Sequence, residues 1–323
     1  MSNPLEAFWS RVDLNTSRVL NSPSFIFLCG GKVEPAAGDE PSLRALFYRH
    51  LKEHEPNLFK RVLLAERANK WSKATKHYEH LLQLEGDLAH LSAVILLLVE
   101  SAGSIAELGA FCYDPILFEK LIAVLEFKFQ DDESFIQDGP VAKLKNTAQE
   151  SVLFYQWLGA PDECGRRPLD EGGARETVAQ LVMRLSEIMA GISEEEKFNA
   201  SKGGHLILLV CDLVRLSAIV KLNEINEMLS GLGLVPASIP LERYLFLLEK
   251  LELIHKKQYG HYIYYIGGSD RSGYVRYALK ADPKAGRKTE ERLRLQLDLA
   301  KTLGQLDPNR KRALAAYKKG TAK

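Results

Sequence analysis

Short apolar runs alternate with helical patterns through the first half of the chain. Three runs have the length and composition of strands buried on both faces, and two weaker runs are further candidates. The clear runs are Phe25–Cys29, 93–99 and Leu121–Leu125, and the weaker ones are 62–68 and Val152–Tyr155. Apolar residues with helical spacing lie at Leu43–His54 and within 71–91. This alternation of strands and helices predicts an α/β domain with a parallel sheet.

The second half of the chain has a different pattern. Pro161–Gly173 is rich in proline, glycine and charge and predicts a linker, which leads into a helix at Ala174–Gly191. Helices are predicted at 206–220, 222–230 and 240–254, and two short aromatic strands flank Gly260 within 255–268. Three helices followed by a hairpin predict a winged helix-turn-helix. The predicted domains are therefore an α/β domain at 1–160, a linker and connecting helix at 161–200, a winged helix at 201–280 and a basic helix or tail at 281–323.

The two ends of the chain are both predicted to be helical. Residues 1–20 read as a short amphipathic helix that carries Phe8, Trp9, Val12 and Leu20, and the last helix spans Glu290–Gln305. The formal net charge is only +1, yet residues 271–323 hold 15 Lys and Arg against 5 Asp and Glu. A basic end on an acidic body indicates a polyanionic partner, most simply nucleic acid, although a solvated basic helix is the alternative.

Composition narrows the class of protein further. A chain of 323 residues is long enough for two domains, and no apolar run reaches the roughly 18 residues of a membrane span. Met1–Leu20 lacks the core of a signal peptide, and the four cysteines show no C-x-x-C spacing. We therefore expect a cytoplasmic protein without disulfides. The stretch His50–His54 matches H-x-x-E-H, but no third ligand is evident, so no metal is expected.

The most informative stretch is 94–111, where a buried strand ends at Glu100, a small-residue turn covers Ser101–Ser104, and a helix begins. Parallel sheets bind ligands at such strand–turn–helix junctions, and the helix start attracts anions. Glu107 is predicted in the first helical turn, facing this crevice, where a carboxylate can attack a sugar carbon or support a sugar cation. The alternative is a capping box, in which Ser104 is the N-cap and the Glu107 side chain accepts a hydrogen bond from the backbone N–H of Ser104. Gly103 and Gly109 favour the first interpretation, because a plain helix start does not need both glycines.

The predicted winged helix offers few base-reading side chains. Its third helix carries only Arg243 and Lys250 as basic residues, whereas sequence-specific readers present several polar groups. Wing residues are better candidates for phosphate contacts and base stacking. They are Lys256, Lys257, Tyr259, His261, Tyr262 and Tyr264. A protein–protein module is an equal alternative.

Three segments resemble the nucleoside deoxyribosyltransferase-like effectors of bacterial retrons: Phe27–Gly31, Glu100–Phe111 and Ser134–Val141. The resemblance extends over most of the chain, and it implies an anti-phage toxin that cleaves an N-glycosidic bond, with NAD as substrate. It also implies a complex with the retron reverse transcriptase and its branched RNA–DNA (msDNA), and assembly into homo-oligomers or filaments.

The resemblance also assigns site residues. Glu107 matches the catalytic glutamate, and Ser104 matches the position that holds a substrate phosphate or hydroxyl, in the turn with Ser101 and Gly103. Gly30 and Gly31 line the same crevice, and Glu85 or Asp87 supplies an acidic group. Ala102 departs from the pattern, because the family has proline there.

We therefore predict an effector that hydrolyses NAD, using NAD as substrate and no cofactor, and that is held in check by its reverse transcriptase and msDNA. Two alternatives stay open. One is a transferase or N-glycosidase that acts on another nucleoside or nucleotide. The other is a catalytically inactive regulator that binds nucleic acid. The presence of Glu107 favours an enzyme.

Overall fold

A computed structural model of the chain describes residues 3–20, 24–34, 40–64, 77–268, 273–280 and 288–321. The chain divides into two compact units. The first, called the sheet unit below, comprises Pro23–Ala74 and His80–Ile192. The second, called the terminal unit, comprises Met1–Ser22, Thr75–Glu79 and Ser193–Lys323. Among the described residues, no helix has both the length and the apolar character that crossing a membrane requires.

Strands and helices are numbered in chain order over these residues. The strands are β1 (Val12–Leu20), β2 (Ile26–Cys29), β3 (Val62–Leu64), β4 (Val94–Leu98), β5 (Leu121–Glu126), β6 (Val152–Tyr155), β7 (Glu195–Lys197), β8 (Ile219–Val220), β9 (Ile254–Tyr259), β10 (Tyr262–Gly267) and β11 (Val275–Leu279). The helices are α1 (Glu6–Trp9), α2 (Leu43–His54), α3 (Pro56–Phe59), α4 (Leu81–Leu91), α5 (Ala102–Tyr113), α6 (Pro115–Phe118), α7 (Ala142–Thr147), α8 (Glu171–Gly191), α9 (Gly203–Ser217), α10 (Leu222–Gly231), α11 (Leu241–Lys250), α12 (Lys288–Leu306) and α13 (Asn309–Thr321).

The sheet unit is built on five parallel strands in the order β3-β2-β4-β5-β6, which confirms the predicted α/β class with a parallel sheet. All five predicted strands are present, and of the strand predicted at 62–68 the residues 65–68 lie outside the described residues. Every residue of β4 is buried, as expected of a central strand that is covered on both faces. The register aligns Leu98 of β4 with Val124 of β5, so the carboxyl ends of these two strands lie side by side.

Helices cover both faces of this sheet. Leu28 and Leu96 pack into one apolar cluster with Phe47 of α2 and Leu181 of α8. Because side chains alternate along a strand, Phe27 lies on the opposite face, where its ring is 6.2 Å from the ring of Phe111 in α5. The unit therefore has three layers, and the junctions between strand ends and helix starts meet at the carboxyl edge of the sheet.

Val12–Leu20 form a strand, so the predicted amphipathic helix over residues 1–20 is wrong. Among the described residues 3–20, only Glu6–Trp9 are helical. Strand β1 is the centre of an antiparallel sheet, pairing Val12 with Leu279 of β11 and Val19 with Glu196 of β7. Both partners lie far along the chain, so the local spacing of apolar residues does not reveal them.

The terminal unit contains the predicted three helices and hairpin. Helices α9, α10 and α11 are followed by strands β9 and β10, which pair antiparallel and turn at Gly260 with a φ of +59°. Strand β8 adds to the other side of β10. The three helices and the hairpin are confirmed, although the predicted helices 206–220 and 240–254 end earlier, at Ser217 and Lys250, and Ile219–Val220 and Ile254 belong to strands. The assignment of this unit to the winged-helix class stays a prediction.

The basic C-terminal region packs against the other helices of the terminal unit. Arg292 of α12 donates two hydrogen bonds of 3.0 Å to Asp212 of α9. Arg310 of α13 is only 3% exposed, binds the carboxylate of Glu224 in α10 and donates to the carbonyl of Ile219 at 2.9 Å. The predicted last helix is thus confirmed. Two arginines of the basic C-terminal region, Arg292 and Arg310, form ion pairs inside the protein, so their charges do not face solvent as an exposed basic surface would.

The division into units differs from the predicted domain boundaries. Residues 1–22 belong with the C-terminal part of the chain, not with the α/β domain at 1–160. The segment predicted as linker and connecting helix, 161–200, contains α8, which packs against the sheet. A short internal segment, Thr75–Glu79, belongs to the terminal unit although it lies between β3 and α4.

Candidate active site

The turn after β4 starts a helix one turn earlier than the sequence predicts. Helix α5 begins at Ala102, and its N-cap is Ser101, whose Oγ accepts a hydrogen bond from the N–H of Ser104. The Ser104 hydroxyl in turn accepts from the N–H of Ser101 at 2.9 Å. The predicted capping box between Ser104 and Glu107 is therefore wrong. Two serines three residues apart satisfy the helix start between them, which leaves Glu107 in the second turn.

Glu100 is the central carboxylate of this edge, whereas the sequence predicts only that a strand ends there. Its oxygens accept backbone N–H groups from Gly31, Leu43 and Arg44 at 2.8–3.1 Å. Burial raises the pKa of Glu100, and these hydrogen bonds oppose that rise. The carboxylate thus ties the end of β4 to the end of β2 and to the first turn of α2.

Packing explains the pair Gly30–Gly31. A Cβ on Gly30, where φ is +143°, would lie 2.8 Å from the carbonyl oxygen of Leu98. A Cβ on Gly31 would lie 2.7 Å from Cβ of Ser42 and 2.9 Å from Oε1 of Glu100. Both glycines are required by close backbone approach. Neither lines the cavity described next, where the sequence had predicted a crevice contact.

Arg44 completes the polar part of this edge. The residue is 1% exposed, and its guanidinium donates to the carbonyls of Leu28 at 2.7 Å and Gly31 at 2.9 Å. A side chain from α2 therefore satisfies one carbonyl of β2 and one carbonyl of the turn that follows it. The charge of Arg44 also favours the ionised form of Glu100.

A cavity of about 460 Å³ opens at the carboxyl edge, within the size range of small-molecule sites. Its apolar walls include Leu125, Phe129 and Trp157, and its polar walls include the residues Ser42, Glu100, Ser101, Glu126, Lys128, Ser134 and Gln137. Of the residues predicted to bind substrate, only Ser101 lines it. Gly103, Ser104, Glu85 and Asp87 do not. Ser104 is buried beneath the turn, and Glu85 and Asp87 are 4% and 5% exposed on α4.

Two residues of the cavity were missed from the sequence. Glu126, at the end of β5, is 1% exposed and accepts N–H groups from Lys128 at 2.8 Å and Leu158 at 3.4 Å. Gln137 is 8% exposed and begins a π-helical turn, Gln137–Val141. One signal was available: Glu126 ends its strand at the level of Glu100, so both carboxylates lie at the edge where parallel sheets bind ligands.

Glu107 lies on α5 but does not line this cavity. At roughly 100° per residue, it is about 140° around the helix from Ala102 and about 160° from Ile105, the two helical residues that do. It is half-buried. The N-terminus of α5 therefore separates the cavity from Glu107. Its role as catalytic residue stays a prediction.

The glycines of α5 do not support the argument drawn from them. Within the described chain, a Cβ on Gly109 would meet no atom within 4 Å, and one on Gly103 would meet only Ser101 Oγ at 3.8 Å. Neither position is tight enough to require glycine. The two glycines therefore give no support to Glu107 as the catalytic residue.

The predicted docking residues are spread over the terminal unit. Arg243 lies on α11 near the ring of Tyr78, 5.7 Å from its centroid, and Phe246 of the same helix contacts His77. The outer face of α11 is thus partly covered. On β9, Lys256 is exposed, whereas Lys257 and Tyr259 are half-buried.

Helix α13 and β10 alter the predicted wing surface further. Tyr259 of β9 and Leu314 and Tyr317 of α13 pack against one buried cluster, which includes Tyr264 and Ala313. Tyr264 is fully buried, and its hydroxyl donates to Asp307. A role of Tyr264 in base stacking is therefore wrong, because its ring is inaccessible. The exposed wing residues among those proposed are Lys256, His261 and Tyr262.

The known proteins that this chain resembles are retron proteins. Two Escherichia coli proteins, the candidate ribosyltransferase/DNA-binding proteins of retrons Ec73 and Ec86, are 34% and 33% identical to this chain. The alignments cover 139 and 147 residues, which is 42% and 45% of this chain and 43% and 45% of the relatives. The chain therefore spans less than half the length of each relative that it matches. Residues 40–256, more than half of the chain, match the family described as STM3845 retron effector protein. The chain belongs to this family of retron effectors.

Proposed function

We propose that this retron effector cleaves the N-glycosidic bond between nicotinamide and ribose in NAD. The observation that carries the proposal is the junction at the carboxyl edge, where the N-terminus of α5 lies between a cavity of about 460 Å³ and Glu107. A helix start of this kind attracts phosphate, and NAD carries a diphosphate between its two nucleosides. The description of both relatives as candidate ribosyltransferases supports a reaction at a ribose carbon.

In the proposed reaction, the positive charge that develops on the ribose lies next to the carboxylate of Glu107. The bond from the ribose C1′ to the nicotinamide nitrogen breaks, and its electron pair neutralises the positive ring. Glu107 captures or stabilises the ribosyl cation on the face opposite the leaving group. Water then adds to C1′, and its proton passes to the carboxylate or to solvent. The products are nicotinamide and ADP-ribose, and no metal or cofactor is consumed.

Other residues have positioning roles in this proposal. Ser101, which lines the cavity, and the first N–H groups of α5, including that of Gly103, hold the diphosphate. Ser104 keeps the turn in shape, because its hydroxyl accepts the N–H groups of Glu100 and Ser101. Glu85 or Asp87 orients the ribose hydroxyls. Gly30 and Gly31 act through packing, as their contacts indicate.

The terminal unit is the proposed docking module. We assign it to the winged-helix class because three helices precede an antiparallel hairpin that a third strand extends. The description of the relatives as DNA-binding supports contact with nucleic acid. In the proposal, the reverse transcriptase and msDNA hold the effector inactive, and active effectors assemble as homo-oligomers or filaments.

The test is product analysis with matched variants. The purified effector, with and without its retron partners, is incubated with NAD, and nicotinamide and ADP-ribose are separated by chromatography. Glu107→Gln should abolish nicotinamide release, because it removes a group that acts in the transition state. Glu119→Gln is the control, since Glu119 is an exposed glutamate of the same unit. Near-full activity of Glu107→Gln would remove Glu107 from the mechanism. Release of base from another nucleotide but not from NAD would change the substrate.

A further inference from the structure

The position of Glu107 limits how one ligand can use both sides of α5. The cavity faces Ala102 and Ile105, whereas Glu107 lies on the other side of the helix. A nucleoside held within the cavity would therefore lie on the side of α5 opposite Glu107. A dinucleotide can reach both, because its two nucleosides are joined through a diphosphate that crosses the helix N-terminus.

The walls of the cavity favour a planar, nitrogen-rich ring. Leu125, Phe129 and Trp157 supply apolar and aromatic surface. Glu126 supplies a buried carboxylate that, within the described part of the chain, accepts two backbone N–H groups, and a carboxylate has about four acceptor positions. Gln137 supplies an amide, which both donates and accepts hydrogen bonds.

The Gln137 amide points most directly to a ligand. Within the described chain, its Nε2 is buried and has no hydrogen-bond acceptor. A buried donor without an acceptor is costly, and it is rare unless a ligand or water completes it. The residue also begins the π-helical turn that contains Pro140, and such turns are frequent at functional sites.

We propose that this cavity binds the adenine half of a dinucleotide. In this arrangement the Gln137 amide and the Glu126 carboxylate bind the amino group and ring nitrogens of adenine, between the apolar walls. The diphosphate crosses the start of α5 near Ser101 and Ala102, and the second ribose reaches Glu107. The proposal rests on the proposed NAD hydrolysis, and it adds the site that holds the half of the substrate that is not cleaved.

Direct binding of AMP tests the cavity without requiring any reaction. Titration calorimetry with the full-length protein should show AMP binding that Gln137→Met weakens about tenfold, as expected for loss of one hydrogen-bonding amide. Gln130→Met is the matched control, because Gln130 is exposed and does not line the cavity. Glu107→Gln should bind AMP as the wild type does. Phe129→Ala, which changes a partly exposed wall residue, should also weaken AMP and serves if Gln137→Met does not fold.

Substrate kinetics give the second readout. In Gln137→Met, the KM for NAD should rise about tenfold while kcat changes little, and hydrolysis of nicotinamide mononucleotide should be unaffected. AMP binding that is equal in the wild type and in Gln137→Met and Phe129→Ala would overturn the proposal. So would nicotinamide mononucleotide competing with AMP for the same site. If NAD is not hydrolysed but AMP binding still depends on Gln137, the proposed reaction fails and the adenine site stands.

Discussion

Single residues at the carboxyl edge are constrained by contacts that the sequence does not show. The sequence predicts that Gly30 and Gly31 line a substrate crevice. In the structure, both positions require glycine because a Cβ there would collide with neighbouring atoms. Glu100 was only the end of a strand in the sequence, yet it binds three backbone N–H groups from two other segments. These roles depend on residues about 55–70 positions apart, so no local motif predicts them.

Gly31→Ala should lower the free energy of unfolding by about 1–3 kcal/mol. The added methyl would press on Ser42 and Glu100, and overpacking of this kind costs that amount. Gly109→Ala is the control, because its Cβ meets nothing within 4 Å in the described chain and it lies inside a helix. Gly109→Ala should raise the free energy of unfolding by about 0.5–1 kcal/mol. Urea unfolding measures both, and a Gly31→Ala protein as stable as the wild type would contradict the packing argument.

Asp307 carries the clearest pH dependence in the terminal unit. Burial acts to raise its pKa, but hydrogen bonds from Lys221 and Tyr264 outweigh burial and lower the pKa to about 2. Because the folded pKa lies below the unfolded value of 3.8, the stabilisation is complete above about pH 4 and is lost as pH falls through 2.

Asp307→Asn should therefore cost about 2 kcal/mol at pH 7 and progressively less as pH falls from 4 to 2. Asp298→Asn is the matched control, since its carboxylate is 58% exposed and pairs with Arg11 at the surface. Such a pair is worth about 0–1 kcal/mol. Chemical unfolding of both variants over this pH range decides the point. A constant difference between wild type and Asp307→Asn down to pH 2 would contradict the pKa assignment.

At the scale of elements, strands buried on both faces were predictable and strands with distant partners were not. The five strands of the parallel sheet appear in the sequence as short apolar runs, because both of their faces are covered. Strand β1 was mistaken for a helix, since it pairs with β11 about 260 residues away. The start of α5 was displaced by one turn, because Ser101 and Ser104 are both capable caps.

Helix α13 should act as a structural element, although its composition suggested a tail. Removing residues 308–323 takes away Arg310, which pairs with the buried carboxylate of Glu224. Breaking a buried pair by removing one partner costs about 3–5 kcal/mol. Hydrogen exchange by mass spectrometry should show faster exchange in β8 and α10, and unchanged exchange in β4 of the sheet unit. Equal protection of α10 in the truncated and full-length proteins would mean that α13 is dispensable for this unit.

For the whole molecule, the excess of basic residues at the C-terminus is divided between internal ion pairs and exposed side chains. Arg292 and Arg310 form ion pairs with internal carboxylates. Lys311 and Arg312 of α13 are exposed, as is Lys256 on β9. Helix α13 packs against the hairpin strands β9 and β10. We therefore expect the exposed cations of α13 and the hairpin, rather than the partly covered face of α11, to meet nucleic acid.

The double variant Lys311→Glu/Arg312→Glu should bind the proposed partner, retron msDNA, more weakly and with a smaller dependence on salt. Each lost phosphate contact reduces the slope of log K against log salt by about 0.9 for duplex DNA and about 0.7 for single strands. Arg49→Glu/Lys52→Glu, on the exposed side of α2 in the sheet unit, makes the same change in charge and is the control. Fluorescence anisotropy of labelled msDNA between low and high salt measures both slopes. If the two double variants lose the same affinity and slope, the protein is attracting nucleic acid through its total charge, and α13 is not the docking surface.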